Sequence, residues 1–263
     1  MQKQHAVVVH HLVYNFYIKK HMKIGIIYAM EEEIRAYYYN VKKFKKIQNE
    51  TYGINIYISN SNKIILIKSG IGKVSSSIAC TILIHTYKVH IIINIGSSGA
   101  LKPYINISNF IIGKNISYHD VNLTSFQYKI GQIPGFPQKF NTNIFLRKQI
   151  KKILYKYKIT FWEGLIISGD IFIHKSQDIN KITKNFPDAI ASDMESAAIS
   201  QICFQYNKPV LIIKIISDDT NKKAPLIFKK SIQNISIQSY KIIEDYINII
   251  KKLYKIGNIN KNL

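Results

Sequence analysis

Short runs of β-branched residues, most of them isoleucine, alternate along this chain with longer stretches of helical periodicity. Eight runs are predicted to be strands: Ile24–Tyr28, Asn55–Ser59, Lys63–Lys68, Ile91–Ile95, Phe110–Ser117, Gly164–Ser168, Ala189–Ser192 and Val210–Ile216. Six stretches are predicted to be helices: Glu31–Asn40, Lys73–Tyr87, Thr142–Tyr157, Ser176–Asn185, Ser196–Tyr206 and Ile232–Tyr254. The runs contain few polar residues, which favours strands covered on both faces. The pattern predicts one α/β domain with three layers, α/β/α, and a central mixed β-sheet.

Three segments of the 263 residues have different expected roles. Residues 22–255 are expected to form the folded domain, because Met22 opens the first clear strand. Residues 1–21 carry an apolar run, 6–18, that lacks a clear cleavage site, and we expect a non-functional extension that results from a start mis-assigned upstream of Met22. Residues 256–263 are expected to be a tail. No apolar run approaches the roughly 20 residues of a membrane span, so no membrane role is expected.

The formal charge of +22 could indicate a nucleic-acid partner. However, Arg35 and Arg147 are the only arginines among 37 basic residues, and the lysines are scattered. Nucleic-acid sites favour arginine for bidentate contacts. The abundance of Lys, Ile, Asn and Tyr is typical of an A/T-rich coding sequence, so no nucleic-acid partner is expected.

The two cysteines, Cys80 and Cys203, lie in apolar helical contexts. Their number and spacing match neither a disulfide framework nor a metal site. We therefore expect no metal and a reducing, cytoplasmic compartment.

Three carboxylates follow strand-like runs. Glu33 follows the first strand, Glu195 follows the run that ends at Ser192, and Asp218 follows the run that ends at Ile216. Ligands of open α/β sheets bind at this edge, so the three acids suggest acid–base chemistry on one substrate. Each acid also has an ordinary explanation, since acids are common in the first turn of a helix and at caps.

Two glycine-containing segments also follow strands. The segment 95–100 reads Ile-Gly-Ser-Ser-Gly-Ala, and 69–73 reads Ser-Gly-Ile-Gly-Lys. Such loops bring backbone amides close to a ligand, but a tight turn would serve equally well. In the second segment the lysine follows the first glycine too closely for a loop that binds nucleoside triphosphates.

Several blocks together carry a resemblance to a known family. They are Lys23–Ile27, Ala29–Glu33, Lys68–Val74, Tyr118–Asp120, Gly131–Gln132, Pro134–Gly135, Pro137, Ser168–Asp170 with Phe172, Met194–Glu195 and Ile216–Asp218. With them, residues 22 to about 252 closely resemble the 5′-methylthioadenosine/S-adenosylhomocysteine nucleosidases of the purine nucleoside phosphorylase superfamily.

The resemblance implies a nucleoside phosphorylase-like fold over residues 22–255 and an N-glycosyl hydrolase. Its expected reaction releases adenine and 5-methylthioribose or S-ribosylhomocysteine, in methionine salvage and in removal of a methyl-cycle product. It further implies adenine nucleosides as ligands, no cofactor, and a homodimer.

The resemblance also implies roles for individual residues. Asp218 matches the general acid that protonates nitrogen 7 of adenine, and Glu33 matches the general base for the attacking water. Glu195 matches the residue that holds the ribose hydroxyls. Separating the acid from the base by a sugar resembles inverting glycosidases. Further expected substrate-binding residues are Phe172 (adenine stacking), Ile173 (backbone contact to adenine), Met194 (ribose packing), Ser97 (water), Ile71 and Phe228 (alkylthio pocket), Ser217 and Met30. Phe126 and Pro134 match residues that reach into a neighbouring subunit's site.

The chain departs from the family pattern at two positions whose effect stays open, and two alternative functions stay open as well. Lys214 stands where the family commonly has arginine, and Tyr28 replaces a small residue, which could narrow the site. One alternative is a phosphorylase of the same fold, but two arginines and Glu33 disfavour a phosphate pocket. The other is an inactive basic binding protein, which the three intact acids disfavour.

Overall fold

The computed structural model describes residues 22–33, 35, 44–49, 54–61, 63–174, 176–218 and 224–255. Within these residues the strands are β1 (Ile24–Tyr28), β2 (Phe44–Asn49), β3 (Ile54–Ser59), β4 (Ile64–Lys68), β5 (Ile91–Ala100), β6 (Phe110–Tyr118), β7 (Phe140–Asn141), β8 (Phe161–Ser168), β9 (Ala189–Asp193) and β10 (Val210–Asp218). The long helices are α1 (Lys73–His85), α2 (Ile144–Lys156), α3 (Ser176–Asn185), α4 (Ser196–Gln205) and α5 (Ala224–Lys255). A 3-10 turn spans Thr124–Phe126, and residues 31–33 and 35 are helical.

The sheet is mixed, and part of it closes on itself. Hydrogen-bonded neighbours follow the order β2-β3-β4-β1-β5-β9-β8-β6-β10, and β10 also pairs with β5. Strands β5, β9, β8, β6 and β10 thus form a closed ring, from which β1, β4, β3 and β2 extend as an open sheet. Pairs β1–β4, β1–β5, β5–β10, β6–β8 and β8–β9 are parallel, and the remaining pairs are antiparallel. The predicted mixed sheet is confirmed.

Helices cover both faces of the sheet, as the apolar strands predict. On one face α2 and α5 pack in a core cluster with alternate residues of β1, including Ile24 and Ile26. On the other face α1 and α4 pack in a second cluster that includes Ile27. Successive side chains of a strand point to opposite faces, so a strand buried on both sides must be apolar throughout. This explains why β1, apart from Gly25, consists of isoleucine and a final tyrosine, Tyr28.

The observed elements match the predicted ones with four main differences, and the ends of several others differ by one to three residues. Strands β3 and β4, both predicted, pair antiparallel as a hairpin. Strand β5 continues to Ala100, so the predicted glycine loop 96–100 is wrong and is strand. Strand β2 was missed because its Phe-Lys-Lys-Ile-Gln-Asn sequence is mostly polar, and the two-residue β7 was missed too. Helix α5 begins at Ala224, earlier than predicted. Segments 1–21 and 256–263 and most of the predicted helix 31–40 lie outside the described residues.

No helix among the described residues, including the 32-residue α5, is long and apolar enough to cross a membrane.

Gly131 fixes the segment that follows β6. Its backbone N–H donates to the Val121 carbonyl at 2.8 Å, and its φ of +84° lies in the left-handed region. A Cβ at this position would lie 2.3 Å from the Tyr118 carbonyl oxygen, so only glycine fits. Gly135, nearby, has φ +79° but nothing within 4 Å of an added Cβ.

Substitutions at Gly131 and Gly135 distinguish the cost of backbone strain from the cost of a steric clash. We expect Gly131→Ala to lower the free energy of unfolding by about 2–4 kcal/mol, because strain and overpacking add. Gly135→Ala should cost only about 1 kcal/mol, from strain alone. Urea denaturation of both variants measures the difference, and equal losses would contradict the steric argument.

Candidate active site

One cavity of about 150 Å³ gathers residues from several strand ends. Its walls are Ala29, Met30, Glu33, Ile71, Ser97, Ser98, Gly99, Phe172, Ser192, Asp193, Met194, Glu195, Ser217, Asp218 and Phe228. The sequence predicted ten of these as site residues. It missed Ala29, Ser98, Gly99, Ser192 and Asp193.

Three predicted site residues lie outside the cavity wall. Ile173 is buried in a separate apolar cluster with Leu101 and Ile167. Phe126 is 70% exposed, and Pro134 is also exposed. The latter two residues do not line this chain's own cavity, and their role toward a neighbouring subunit stays a prediction.

The three predicted acids meet for a reason that differs from the one expected. Strands β1, β5 and β10 are parallel, so Glu33 and Asp218 lie at one edge as expected. However, β9 runs antiparallel to β5, and Gly99 pairs with Ser192. The extension of β5 to Ala100 makes this pairing possible, and it brings the end of β9, and with it Glu195, to the same cavity.

Glu33 is buried, and both of its carboxylate oxygens accept hydrogen bonds. Oε2 accepts from the backbone N–H groups of Ala29 (2.9 Å) and Met30 (3.1 Å). Oε1 accepts from the Ser97 N–H (2.9 Å) and Oγ (2.8 Å). The acid therefore both caps its own helical turn and reaches across to β5. Four donors fix the orientation of one carboxylate at the cavity wall.

Gly96 makes this approach possible. A Cβ on Gly96 would lie 2.8 Å from Glu33 Oε1, closer than real Cβ atoms come to other atoms. Glycine is therefore needed at position 96 because β5 comes close to the Glu33 carboxylate, and not because the chain turns there.

Glu195 is at the N-cap position of α4, but its side chain makes no cap hydrogen bond. Instead Oε1 accepts from the Gly72 N–H at 3.1 Å, and Oε2 lies 3.5 Å from Lys214 Nζ. Burial raises the pKa of Glu195 to about 7, although the Lys214 charge opposes the rise. Glu195 is therefore not an ordinary first-turn acid, because its side chain contacts Gly72 and Lys214 and not the N–H groups of its own helix.

Lys214 is a buried cation between two buried acids. Its Nζ lies 2.7 Å from Asp193 Oδ2, closer than to Glu195. Burial alone would lower the pKa of Lys214, but Asp193 and Glu195 outweigh it and hold the pKa above the usual value. Asp193 also accepts from the Ser168 Oγ at 2.5 Å and from the Ser196 Oγ and N–H.

Asp218 ends β10 at an irregularity in the strand. The pairing register with β5 shifts between Ile216 and Asp218. The Ser217 Oγ donates to Asp218 Oδ2 at 2.9 Å and also lies 3.2 Å from the Ser98 carbonyl. A bulge of this kind re-aims a side chain, and here it turns Asp218 into the cavity wall.

Two aromatic side chains, Phe172 and Phe228, line the cavity. Phe172 is 39% exposed and meets Phe228 edge-on, with ring centroids 6.2 Å apart. An exposed ring of this kind is available to stack on a flat ligand. Tyr28, by contrast, is fully buried in the core cluster with α5 and is not part of the cavity wall, so the concern that it narrows the site is unfounded.

Comparison with known proteins shows the family to which the chain belongs. The model of the phosphorylase superfamily matches residues 23–248. The chain is 43% identical over 242 residues to the 5′-methylthioadenosine/S-adenosylhomocysteine nucleosidase of Buchnera aphidicola subsp. Baizongia pistaciae, covering 90% of this chain and 93% of the relative. The chain belongs to this nucleosidase family.

Two more relatives span most of the fold. The nucleosidase of Staphylococcus aureus (strain bovine RF122 / ET3-1) is 35% identical, with 84% of this chain and 97% of the relative covered. The crystal structure of the nucleosidase from Colwellia psychrerythraea, solved in complex with adenine, superposes with a TM-score of 0.80 at 32% identity. That match covers 87% of this chain and 95% of the other.

Asp193 is the missed residue with the clearest sequence signal. It stands immediately before Met194 and Glu195 at the end of an apolar run. A lysine inside the apolar run 210–216 needs an acid beside it, because a buried charge is costly unless paired. From these two observations together, an ion pair between Asp193 and Lys214 could have been predicted.

The ionisation of Glu195 gives a direct test of this charge cluster. We expect carboxyl ¹³C NMR, assigned with Glu195→Gln, to give Glu195 a pKa of about 7. Lys214→Met should raise that pKa further, because the cation that favours the carboxylate is lost. Lys214→Arg keeps the charge and should leave it near the wild-type value. An unchanged pKa in Lys214→Met would contradict the pairing.

Proposed function

We propose that this chain hydrolyses the N-glycosidic bond of 5′-methylthioadenosine and S-adenosylhomocysteine, releasing adenine and 5-methylthioribose or S-ribosylhomocysteine. The observation that carries the proposal is the convergence of Glu33, Glu195 and Asp218 on one cavity from three strand ends. Relatives that are named for this activity match most of the chain, and this similarity supports the proposal.

The leaving base needs a proton. When the C1′–N9 bond breaks, its electron pair goes to adenine, which is a poor anion, and positive charge develops on the ribose. Asp218 is proposed to give its proton to nitrogen 7 of adenine as the bond breaks. The adjacent Ser217 hydroxyl, at 2.9 Å from Oδ2, would hold the Asp218 carboxyl in place.

Water completes the reaction on the other side of the sugar. Its oxygen bonds to C1′, and Glu33 is proposed to take the proton that the water loses. The hydrogen bonds from Ala29, Met30 and Ser97 fix the Glu33 carboxylate before the reaction begins, which removes reorganisation from the chemical step.

Glu195 is proposed to accept hydrogen bonds from the ribose hydroxyls. Its ionised form is the acceptor, and its negative charge would stabilise the cationic sugar. Lys214 favours that ionised form. Phe172 is proposed to stack on adenine, and Ile71 and Phe228 to line the alkylthio pocket, all three being walls of the cavity.

Phosphorolysis is disfavoured by the distribution of positive charge. A phosphate pocket needs cationic donors that are free to bind an anion. Lys214 already lies between Asp193 and Glu195. Arg147 pairs with Glu163, and neither Arg147 nor Arg35 is among the described walls of the cavity. Water is therefore the favoured nucleophile. A basic binding protein without activity would not need three acids around one cavity.

Adenine release tests the assignment of acid and base. We expect Asp218→Asn and Glu33→Gln each to lower kcat for methylthioadenosine by about 10²-fold or more, the usual size of general acid–base catalysis. Asp188→Asn, a surface control whose side chain is 79% exposed, should leave kcat unchanged. Wild-type rates should be equal with and without phosphate. Strict phosphate dependence, or full activity of Asp218→Asn, would overturn the proposal.

We further propose a homodimer in the cytoplasm. Ile71, just before α1, and Val74 and Ile78 in its first turns recur at spacings of three and four residues, and 54%, 72% and 45% of their surfaces are exposed. An exposed apolar stripe of this kind is typical of a protein interface. Phe126 and Pro134 are proposed to reach from one copy into the other's cavity. The free thiols of Cys80 and Cys203, with sulfurs 3.8 Å apart, fit a reducing compartment.

Oligomeric state and affinity test the dimer. We expect a dimer by sedimentation velocity, and Ile78→Asp should shift it to monomer by placing a charge in the interface. Phe126→Ala should keep the dimer but raise KM for methylthioadenosine about tenfold. Tyr155→Asp, at a side chain 71% exposed on α2, is the control and should change neither. A wild-type monomer with full activity would refute this arrangement.

A further inference from the structure

Three strand-end segments next to the cavity are tied together by charged side chains that do not touch it. Lys73 begins α1 after β4, Asp120 follows β6, and Asp170 follows β8. We call these three residues the Lys73 cluster. None of them belongs to the cavity wall as described, yet each stands in a motif that the catalytic assignment leaves unexplained.

The contacts of the cluster form a closed ring. Lys73 Nζ donates to Asp120 Oδ2 at 2.5 Å, and the Asp170 N–H donates to the same oxygen at 3.0 Å. Asp170 Oδ1 in turn accepts from the Lys73 N–H at 2.8 Å. Asp120 thus contacts both other segments, and Asp170 closes the ring.

Asp170 also acts as a helix cap supplied from another part of the chain. The N-cap residue of α1 is Gly72, which has no side chain of its own to satisfy the first N–H groups. The carboxylate of Asp170 accepts one of them and places negative charge at the positive end of the helix. Gly72 has φ +95°, and a Cβ there would lie 2.9 Å from Asp170 Oδ1, so this contact requires glycine.

The ring is connected to the cavity on two sides. On one side, the Gly72 N–H donates to Glu195 Oε1 at 3.1 Å, and Ile71 lines the cavity. On the other side, Phe172 lies two residues after Asp170 and also lines the cavity. The position of α1's first turn relative to the 169–172 segment therefore sets the distance between the walls proposed for ribose, alkylthio group and adenine.

We propose that Lys73 and Asp120 are positioning residues for nucleoside binding: their ion pair holds the segments that carry Ile71 and Phe172 at the spacing that the substrate requires. This rests on the proposed function for the identity of the substrate. The pair is partly buried, with 26% and 14% of the side chains exposed, so it is shielded from solvent more than a surface pair is. Asp218 and Glu33 lie on other strand ends, so the cluster acts on binding and not on proton transfer.

The test separates KM from kcat in adenine release from methylthioadenosine. Lys73→Met and Asp120→Asn should each raise KM about tenfold with kcat within about threefold of wild type, since uniform binding is lost. The double variant should be no worse than the more impaired single variant, because the two residues act through one contact. Lys73→Arg keeps the charge and should recover most of the affinity. A purely structural role would lower the concentration of folded enzyme, which reduces apparent kcat but leaves KM unchanged.

The chain provides a matched control. Lys151 donates to Glu163 at 2.5 Å, with 28% and 20% of the side chains exposed, on α2 and β8 away from the cavity wall. Lys151→Met should leave KM within twofold. An unchanged KM in both Lys73→Met and Asp120→Asn, or an equal rise in Lys151→Met, would overturn the proposal.

Isothermal titration calorimetry with adenine measures the effect of the cluster on binding without the reaction. Weaker adenine binding in Asp120→Asn than in wild type is expected, and equal binding would count against the cluster. If wild type binds adenine but releases none from methylthioadenosine, the proposed function fails while the effect of the cluster on binding is still measured.

Discussion

The structure depends on burying four carboxylates at one end of a sheet whose other side chains are mostly apolar. Glu33, Asp193, Glu195 and Asp218 are each less than a tenth exposed. Burial of an ionised carboxylate is costly unless donors or a cation compensate it. Lys214 compensates Asp193 and part of Glu195, while backbone N–H groups and serine hydroxyls compensate Glu33 and Asp193. The chain uses its strand ends for this purpose because free backbone donors are available there.

The compensation is unequal among the acids, and the inequality gives them different chemistry. Four donors surround Glu33, whereas burial dominates at Glu195 and raises its pKa to about 7. The two proposed roles, a fixed base and a ligand for the sugar, can therefore be filled by the same residue type. The environment and not the amino acid decides the role.

The closed ring of strands brings these environments together. β5 has β10 on one side and β9 on the other, parallel to the first and antiparallel to the second. Its extension to Ala100 supplies Gly96 for contact with Glu33, Ser97 as a donor, and Gly99 as the partner of Ser192. A sequence that turned at Gly96 could not have connected all three. The extension of one strand past its glycines is thus as important to the site as the acids themselves.

The sequence by itself determined the alternation of strands and helices, because burial on both faces of a strand requires an unbroken apolar run, as in Ile24–Tyr28. It also determined that Glu33, Glu195 and Asp218 stand at strand ends, and its blocks of matching residues indicated the family. Only the tertiary structure decided which strand ends meet. Ring closure, the pairing of Lys214 with Asp193, and the reach of Asp170 to the first turn of α1 join residues far apart in the chain. Local periodicity carries no information about such pairs, since they form only when the whole sheet has closed and excluded water from the charges.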